Sequence, residues 1–391
     1  MKPGAPIVLA GYLVRCPLGG YAWQILHYLV GLRALGFDAY FYEDTAYYGD
    51  CFDPVTGNMH VAPDAGVAFA AQFLAQFGFG DRWAFWDAEA DRYHGLSRDQ
   101  TAGLLHDAAV VITLAPVNRL PRAPRQRKRQ RRVFIDIDPA FTQIRVAQGD
   151  QALIELLAEH DAHFTIGENI GTPGCPIPTD RFTWRATRQP IALELWPPLP
   201  SDPGAAFTTI GRWDEGRRDI HFGGEVYAWR KRTEWVQFLD LPARSGERFC
   251  VAMDVDKTPA DAALLRRHGW EVVDPIAVSR DPLTYRDFIS RSKGEFTVAK
   301  ELNVRLASGW FSDRGACYLA AGRPVITQDT GFGRVLPTGK GLFAVRTLND
   351  AVAACTAIAA DHDTQARAAR QIAQDYFAAP RVLRDLLSAC P

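Results

Sequence analysis

The stretch at residues 308–332 restricts the fold more than any other part of the chain. Ser312 and Asp313 are good cap and first-turn residues for a helix. Ala316, Leu319 and Ala320 then recur at helical spacing, and Gly322 stops the helix before Pro324. Residues 324–327 are a short β-prone run, closed by the polar turn Gln328, Asp329, Thr330 and Gly331. The order is loop, helix, glycine stop, strand, polar loop. The helix start offers the unpaired N–H groups of Ser312, Asp313 and Arg314 to an anion. The polar turn stands where open α/β sheets bind ligands, at the carboxyl end of a strand.

The start of the chain carries a second unit of this kind. Residues 7–12 read as a buried strand, Gly19 and Gly20 open a helix at about 21–35, Gly36 stops it, and residues 37–42 form the next strand. The glycine pair allows close approach of a ligand to the backbone at a helix start. It is not the dinucleotide fingerprint, because no third glycine follows at the required spacing. Further strands are expected at 110–114, 133–137, 164–167, 207–210, 249–253, 270–273 and 295–298, with helices between them. Residues 83–94 read as an aromatic-rich connection, and a helix is expected to begin near Tyr227. The proline-rich segment 184–203 is the strongest linker signal and places a domain boundary. It divides the chain into 1–195, 196–375 and a helical tail 376–391.

Three carboxylates stand at strand ends where a general base would be needed. Asp136 and Asp138 close the 133–137 strand, and Glu168 follows the 164–167 strand. Asp138 can equally be read as a helix cap. His160 and His163 lack the spacing of a helical metal pair and read as structural histidines.

At 391 residues the chain can bury two cores, and a formal net charge of -1 gives no global field to recruit nucleic acid or anionic membrane. The basic run 119–132 reads as a solvated connection. No apolar run reaches spanning length and the start lacks a signal-peptide core, so a cytoplasmic location is expected. The 7 cysteines are scattered without a Cys-x-x-Cys pair, as in reduced cytosolic chains.

Residues 321–331 resemble the donor-site segment of GT-B glycosyltransferases, in which a small-residue helix ends in Gly-x-Pro-Val before a strand and a polar loop. Residues 17–38 resemble the opening of the glycogen-synthase and mannosyltransferase type: a glycine pair, an amphipathic helix with His27, then Leu-Gly-Phe-Asp. Gly211-Arg212 resembles the turn that opens the donor domain of the same proteins. The resemblance implies a GT-B architecture, with two Rossmann-like α/β domains facing a central cleft. It departs at two places. Glutamates stand before and inside the signature helix in retaining members, and here Gly309 and Cys317 occupy those positions.

The resemblance implies a metal-independent hexosyltransferase without a cofactor. Its partners are a nucleotide-diphosphate sugar, with UDP among the nucleotides to try, and an unidentified acceptor hydroxyl on a small molecule, lipid or glycan. The expected donor site comprises Gly19, Gly20, Arg212, Lys231, Ser312, Asp313, Arg314, Gln328, Asp329, Thr330 and Gly331. Asp136, Asp138 and Glu168 are the candidate bases. No nucleic-acid partner and no transmembrane segment are expected, and a homodimer is left open. The rival readings are a sugar-nucleotide epimerase-like enzyme and a non-catalytic nucleotide-sugar-binding protein on the same fold.

Overall fold

Two parallel sheets organise the chain, each built from short apolar runs that tolerate burial on both faces. The computed structural model describes residues 2–47, 49–59, 61–120, 130–200, 202, 204–214 and 218–390. Most of the basic run, Tyr48, and parts of the linker and of the segment after Asp214 therefore lie outside the described residues.

The first sheet contains β1 (Pro6–Ala10), β2 (Asp38–Asp44), β3 (Trp83–Asp87), β4 (Arg92–Gly95), β5 (Val110–Leu114), β6 (Arg131–Asp136), β7 (Ala162–Thr165) and β8 (Trp184–Ala186). Its order is β4-β3-β2-β1-β5-β6-β7-β8, parallel except for the antiparallel edge pair β3–β4. The second sheet is formed by β9 (Phe207–Gly211), β12 (Phe249–Met253), β13 (Trp270–Val273), β14 (Gly294–Thr297), β15 (Val325–Gln328) and β16 (Leu342–Val345), in the order β13-β12-β9-β14-β15-β16. A hairpin of β10 (Ile220–Phe222) and β11 (Glu225–Tyr227) lies between them in sequence. In each sheet the strand order reverses beside its first strand, β1 or β9, which is where doubly wound sheets open a crevice.

Three expectations are corrected here. The 83–94 connection is the β3–β4 edge hairpin, turned at Asp91 with φ 49°. The start of the expected linker is the edge strand β8, paired to β7 from Trp184 to Ala186. Tyr227 ends a strand rather than starting a helix; Gly223 and Gly224, both at positive φ, turn the chain back, and the helix begins at Arg232.

The chain passes between the halves twice. After β8 it leads to β9, and after the Leu348–Ala360 and His362–Ile372 helices it returns to place the Ala379–Ser388 helix against the Gly19–Ala34 helix. Gly31 permits that contact: a Cβ there would lie 2.6 Å from Leu383 Cδ1 and 2.7 Å from Ala379 Cβ. The two passages are bonded side by side, with Ile191 N donating to Phe377 O at 2.7 Å and Ala379 N to Ile191 O at 2.9 Å.

Candidate active site in the cleft between the two sheets

The loop after β1 is held from beneath by a buried acid. Glu43, at 0% exposure, accepts N–H groups of Leu13 and Val14 at 2.7 Å, and those of Arg15 through both its backbone and Nε. Asn118 fixes the same loop, accepting from Arg15 Nη2 and the Asp44 N–H and donating to Gly11 O. This scaffold presents Leu18, Gly19 and Gly20 to the second half. Gly19 is a packing glycine: an added Cβ would sit 2.6 Å from Tyr285 Cβ. Gly20 remains on the cleft wall.

A cavity of about 530 Å³ opens between the halves, within the range of small-molecule sites. Leu18, Gly20, Tyr21 and Phe52 form its first-half wall; Gly211, Arg212, Met253, Asp254, Ile276, Asp313 and Arg314 are on the other. Arg314 is fixed from below: Nε donates to Glu295 Oε1 at 2.6 Å, Nη2 to Thr297 Oγ1 at 3.2 Å, and Nη1 to Ile210 O. Lys231 is buried, with Nζ donating to Thr297 Oγ1 at 3.0 Å. A Cβ built on Gly211 would lie 3.6 Å from Arg314 Nη1 and 3.9 Å from Lys231 Nζ, so both cations stand close to the end of β9. Arg212 and Arg314 thus line the cavity together with Asp313, whereas Lys231 is buried behind them and is not part of the lining.

Ser312 is the N-cap residue of this helix, but its side chain makes no capping bond. Of the three N–H groups expected to face an anion, that of Arg314 is taken by Asp313 Oδ1 at 2.8 Å. Arg314 therefore offers its guanidinium rather than its backbone. Burial pushes the Asp313 carboxyl up from the usual range, opposed by the charges of Arg314 and Lys231.

The polar turn after β15 is tied inward and is not part of the lining of this cavity. Gln328 is buried, its amide nitrogen donating to Glu234 and its oxygen accepting from Ala299 N at 3.2 Å. The Thr330 hydroxyl, 1% exposed, donates to Trp310 O. Asp329 accepts from Gly331 N at 2.8 Å and pairs with Arg346 at 2.8 Å. These residues, apart from Thr330, line a different cavity of about 550 Å³ together with Arg334 and Arg346, which shares no lining residue with the first. The amide of Asn169 stands at this boundary, donating to Ala307 O at 2.9 Å and to Gly331 O at 3.1 Å. Beside it, Gly309 has φ 78°, and a Cβ there would meet Asn169 N at 2.7 Å.

The three candidate bases separate by exposure. Asp136 is fully buried and accepts from Thr142, Gln143, Thr165 and the Asp138 N–H, so its carboxylate is a structural hub that no acceptor can touch. Burial raises its pKa to about 6. Glu168 is held in a two-pronged ion pair with Arg188, at 2.6 and 2.9 Å. Asp138 has a side chain 36% exposed and pairs at 2.9 Å with Arg218 from the second half. Arg218 in turn lies over the rings of Phe141 and Trp229. Of the three, Asp138 alone combines a strand-end position with access to solvent.

His27 and Cys317 meet behind the cleft, with Cys317 Sγ 3.7 Å from His27 Nε2. Ala192 N–H donates to His27 Nδ1 at 3.1 Å, and the Trp196 indole N–H donates to Nε2 at 3.2 Å. His160 and His163 are structural, bonded to the carbonyls of Leu156 and Leu157. Sequence reasoning missed Glu43, Asn118, Asn169, Glu295 and Arg218. It also missed that Ala115, Ala140 and Ala307 adopt positive φ at loops beside strand ends or the contact between the halves. Such strain, of order 1–2 kcal/mol per residue, gathers where surroundings over-determine the backbone.

Two doubly wound domains with facing carboxyl ends, and a C-terminal helix returned to the first, make this a GT-B fold. Solved structures of that fold match along the whole chain. An α-glucosyltransferase in complex with UDP and a mismatched DNA is 11% identical, with TM-score 0.59, over 98% of this chain and 99% of its own. A glycosyltransferase from Rickettsia africae is 10% identical with TM-score 0.53, over 99% and 98%. HepE of Anabaena, in complex with UDP, is 10% identical with TM-score 0.55, over 98% and 100%. No protein-family model and no curated protein matches the chain. Among the described residues no helix is long and apolar enough to cross a membrane.

Proposed function

We propose that the protein transfers a sugar from a nucleotide-diphosphate sugar to an acceptor hydroxyl. The observation that carries this reading is that Arg212 and Arg314 both line a nucleotide-sized cavity between the two sheets, with the buried Lys231 behind them near the end of β9. Departure of a nucleoside diphosphate builds charge on its oxygens, and fixed cations in a partly desolvated site favour that charge more in the transition state than before it. In this scheme Arg212 and Arg314 serve the role a metal would, and Asp138 takes the proton of the acceptor hydroxyl. UDP is the first nucleotide to test, since two of the structurally similar proteins hold it. We take the acceptor to be a compound other than nucleic acid, because the chain carries no excess positive charge to hold a polyphosphate.

The test is a thermal-shift panel of UDP, GDP, dTDP, ADP and CDP, followed by release of the diphosphate from the matching sugar nucleotide. A ligand at about 100 times its dissociation constant adds about 2.7 kcal/mol, which is readily seen. Binding by none of the five overturns the reading. Gly309 and Cys317, standing where the resemblance has glutamates, favour a second reading as a nucleotide-sugar binder without catalysis. Nucleotide binding with no turnover in Asp138→Asn and in wild type alike selects that one.

A further inference from the structure

The cavity between the halves also has aromatic residues in its wall, apart from Arg212 and Arg314. Phe52 and Tyr21 come from the first half, opposite Met253, Asp254, Pro275 and Ile276 at the carboxyl ends of β12 and β13. Phe52 is placed by the backbone: its N–H donates to Arg15 O at 2.9 Å, and Arg15 is clamped by Glu43. The loop that follows closes on itself, with Asp53 accepting from the Val55 N–H and the Thr56 hydroxyl at 2.8 Å, and the Gly57 N–H bonding to Asp53 O. Gly57 also lines the cavity. Tyr21 leans on Tyr12, with ring centroids 4.7 Å apart. Arg212 and Arg314 line this cavity, and so does the half-buried Phe52, carried on a loop closed by its own hydrogen bonds.

We propose that residues 51–58 form a nucleoside lid, in which Phe52 stacks on the base of a nucleotide whose diphosphate rests on Arg212 and Arg314. The inference rests on the donor reading above and adds to it a specific residue and a consequence. The nucleotide is gripped by both halves, so its base, and not only its phosphates, favours the closed cleft. Stacking tolerates any base, because each has a π-face. Choice among bases then falls to the edges presented by Met253, Asp254 and Ile276.

The experiment is calorimetric titration of wild type, Phe52→Ala, Phe52→Leu and Phe52→Trp with UDP, or the tightest nucleoside diphosphate of the panel, and separately with inorganic pyrophosphate. Loss of base–aromatic stacking is expected to weaken the nucleotide roughly tenfold in both the alanine and leucine variants. Phe52→Trp should stay near wild type, and pyrophosphate binding should be the same in all four. Nucleotide binding unchanged in Phe52→Ala overturns the lid while leaving the donor reading intact. An equal loss for pyrophosphate overturns it too, because the ring would then be supporting the loop rather than the base. Failure of wild type to bind any nucleoside diphosphate removes the donor reading itself.

Discussion

Arg314 rests on Glu295, a carboxylate with 0% exposure whose second oxygen has no hydrogen-bond partner among the described residues. The pair aims a cation into the cleft from a base that water cannot reach. Removing the acid leaves a buried guanidinium without its counter-charge, which costs about 3–5 kcal/mol. Glu295→Ala should therefore lower stability by that amount in urea unfolding and weaken nucleotide binding as Arg314 loses its aim. Unchanged nucleotide affinity in a folded Glu295→Ala protein would show that Arg314 is not held in place by this contact.

Arg314 is fixed by Glu295, Thr297 and the Ile210 carbonyl, so its loss should fall on the chemical step. Arg314→Ala is expected to reduce kcat by roughly 10²–10³, the usual cost of one charge-stabilising donor, with Arg212→Ala showing a smaller drop and a larger rise in KM. Parallel steady-state kinetics of the two variants check this.

Acid should loosen the protein at His27 and His160. Burial pushes both imidazoles down to about 3 from an ordinary 6.5. Between those values the unfolded chain holds a proton that the folded chain refuses. Their contribution is complete above pH 6.5 and is lost as pH falls toward 3. At 1.36 kcal/mol per unit, each accounts for about 2–3 kcal/mol between pH 7 and pH 4.5. His27→Gln, which cannot titrate, should lose correspondingly less stability over that interval in urea melts. An identical loss in the two proteins contradicts the assignment.

The seam at Asn169 should be sensitive to a single methyl group. Gly309→Ala adds a Cβ to a residue at φ 78° and pushes it onto the Asn169 backbone. The φ alone costs about 1–2 kcal/mol. Thermal unfolding should report a loss of at least that size, and limited proteolysis should find the 167–170 loop exposed. Asn169→Ala, which removes two amide bonds but adds no bulk, should lose about 1–3 kcal/mol.

Chelation should leave activity in place. On the proposed reading Arg212 and Arg314 stabilise the departing diphosphate, so turnover in EDTA is expected within about twofold of that in untreated protein. A loss that added magnesium or manganese restores would assign that role to a metal instead.

The fold was legible because its strands are local events. Residues 249–253, 270–273 and the 282–290 helix follow from apolar runs, caps and prolines that act within a few positions. The β3–β4 hairpin was not legible, because its turn uses Asp91 at positive φ with no glycine to mark it. The β10–β11 turn did carry a mark, Gly223-Gly224, and was passed over. The cleft was harder still. Asn169 meets partners 138 and 162 positions away, and Arg15 meets Asn118 across 103. No local pattern encodes such distances. Conversely, Gln328 and Thr330 looked available because polar residues at a strand end usually are. Glu234 and Trp310, brought in by tertiary packing, take their groups.

The paired passages at Ile191 and Phe377–Ala379 give the halves a mechanical character. Two domains joined by one thread can swivel like beads on a string. Here two threads run side by side and are knitted together by main-chain bonds, so twisting one half against the other strains both at once.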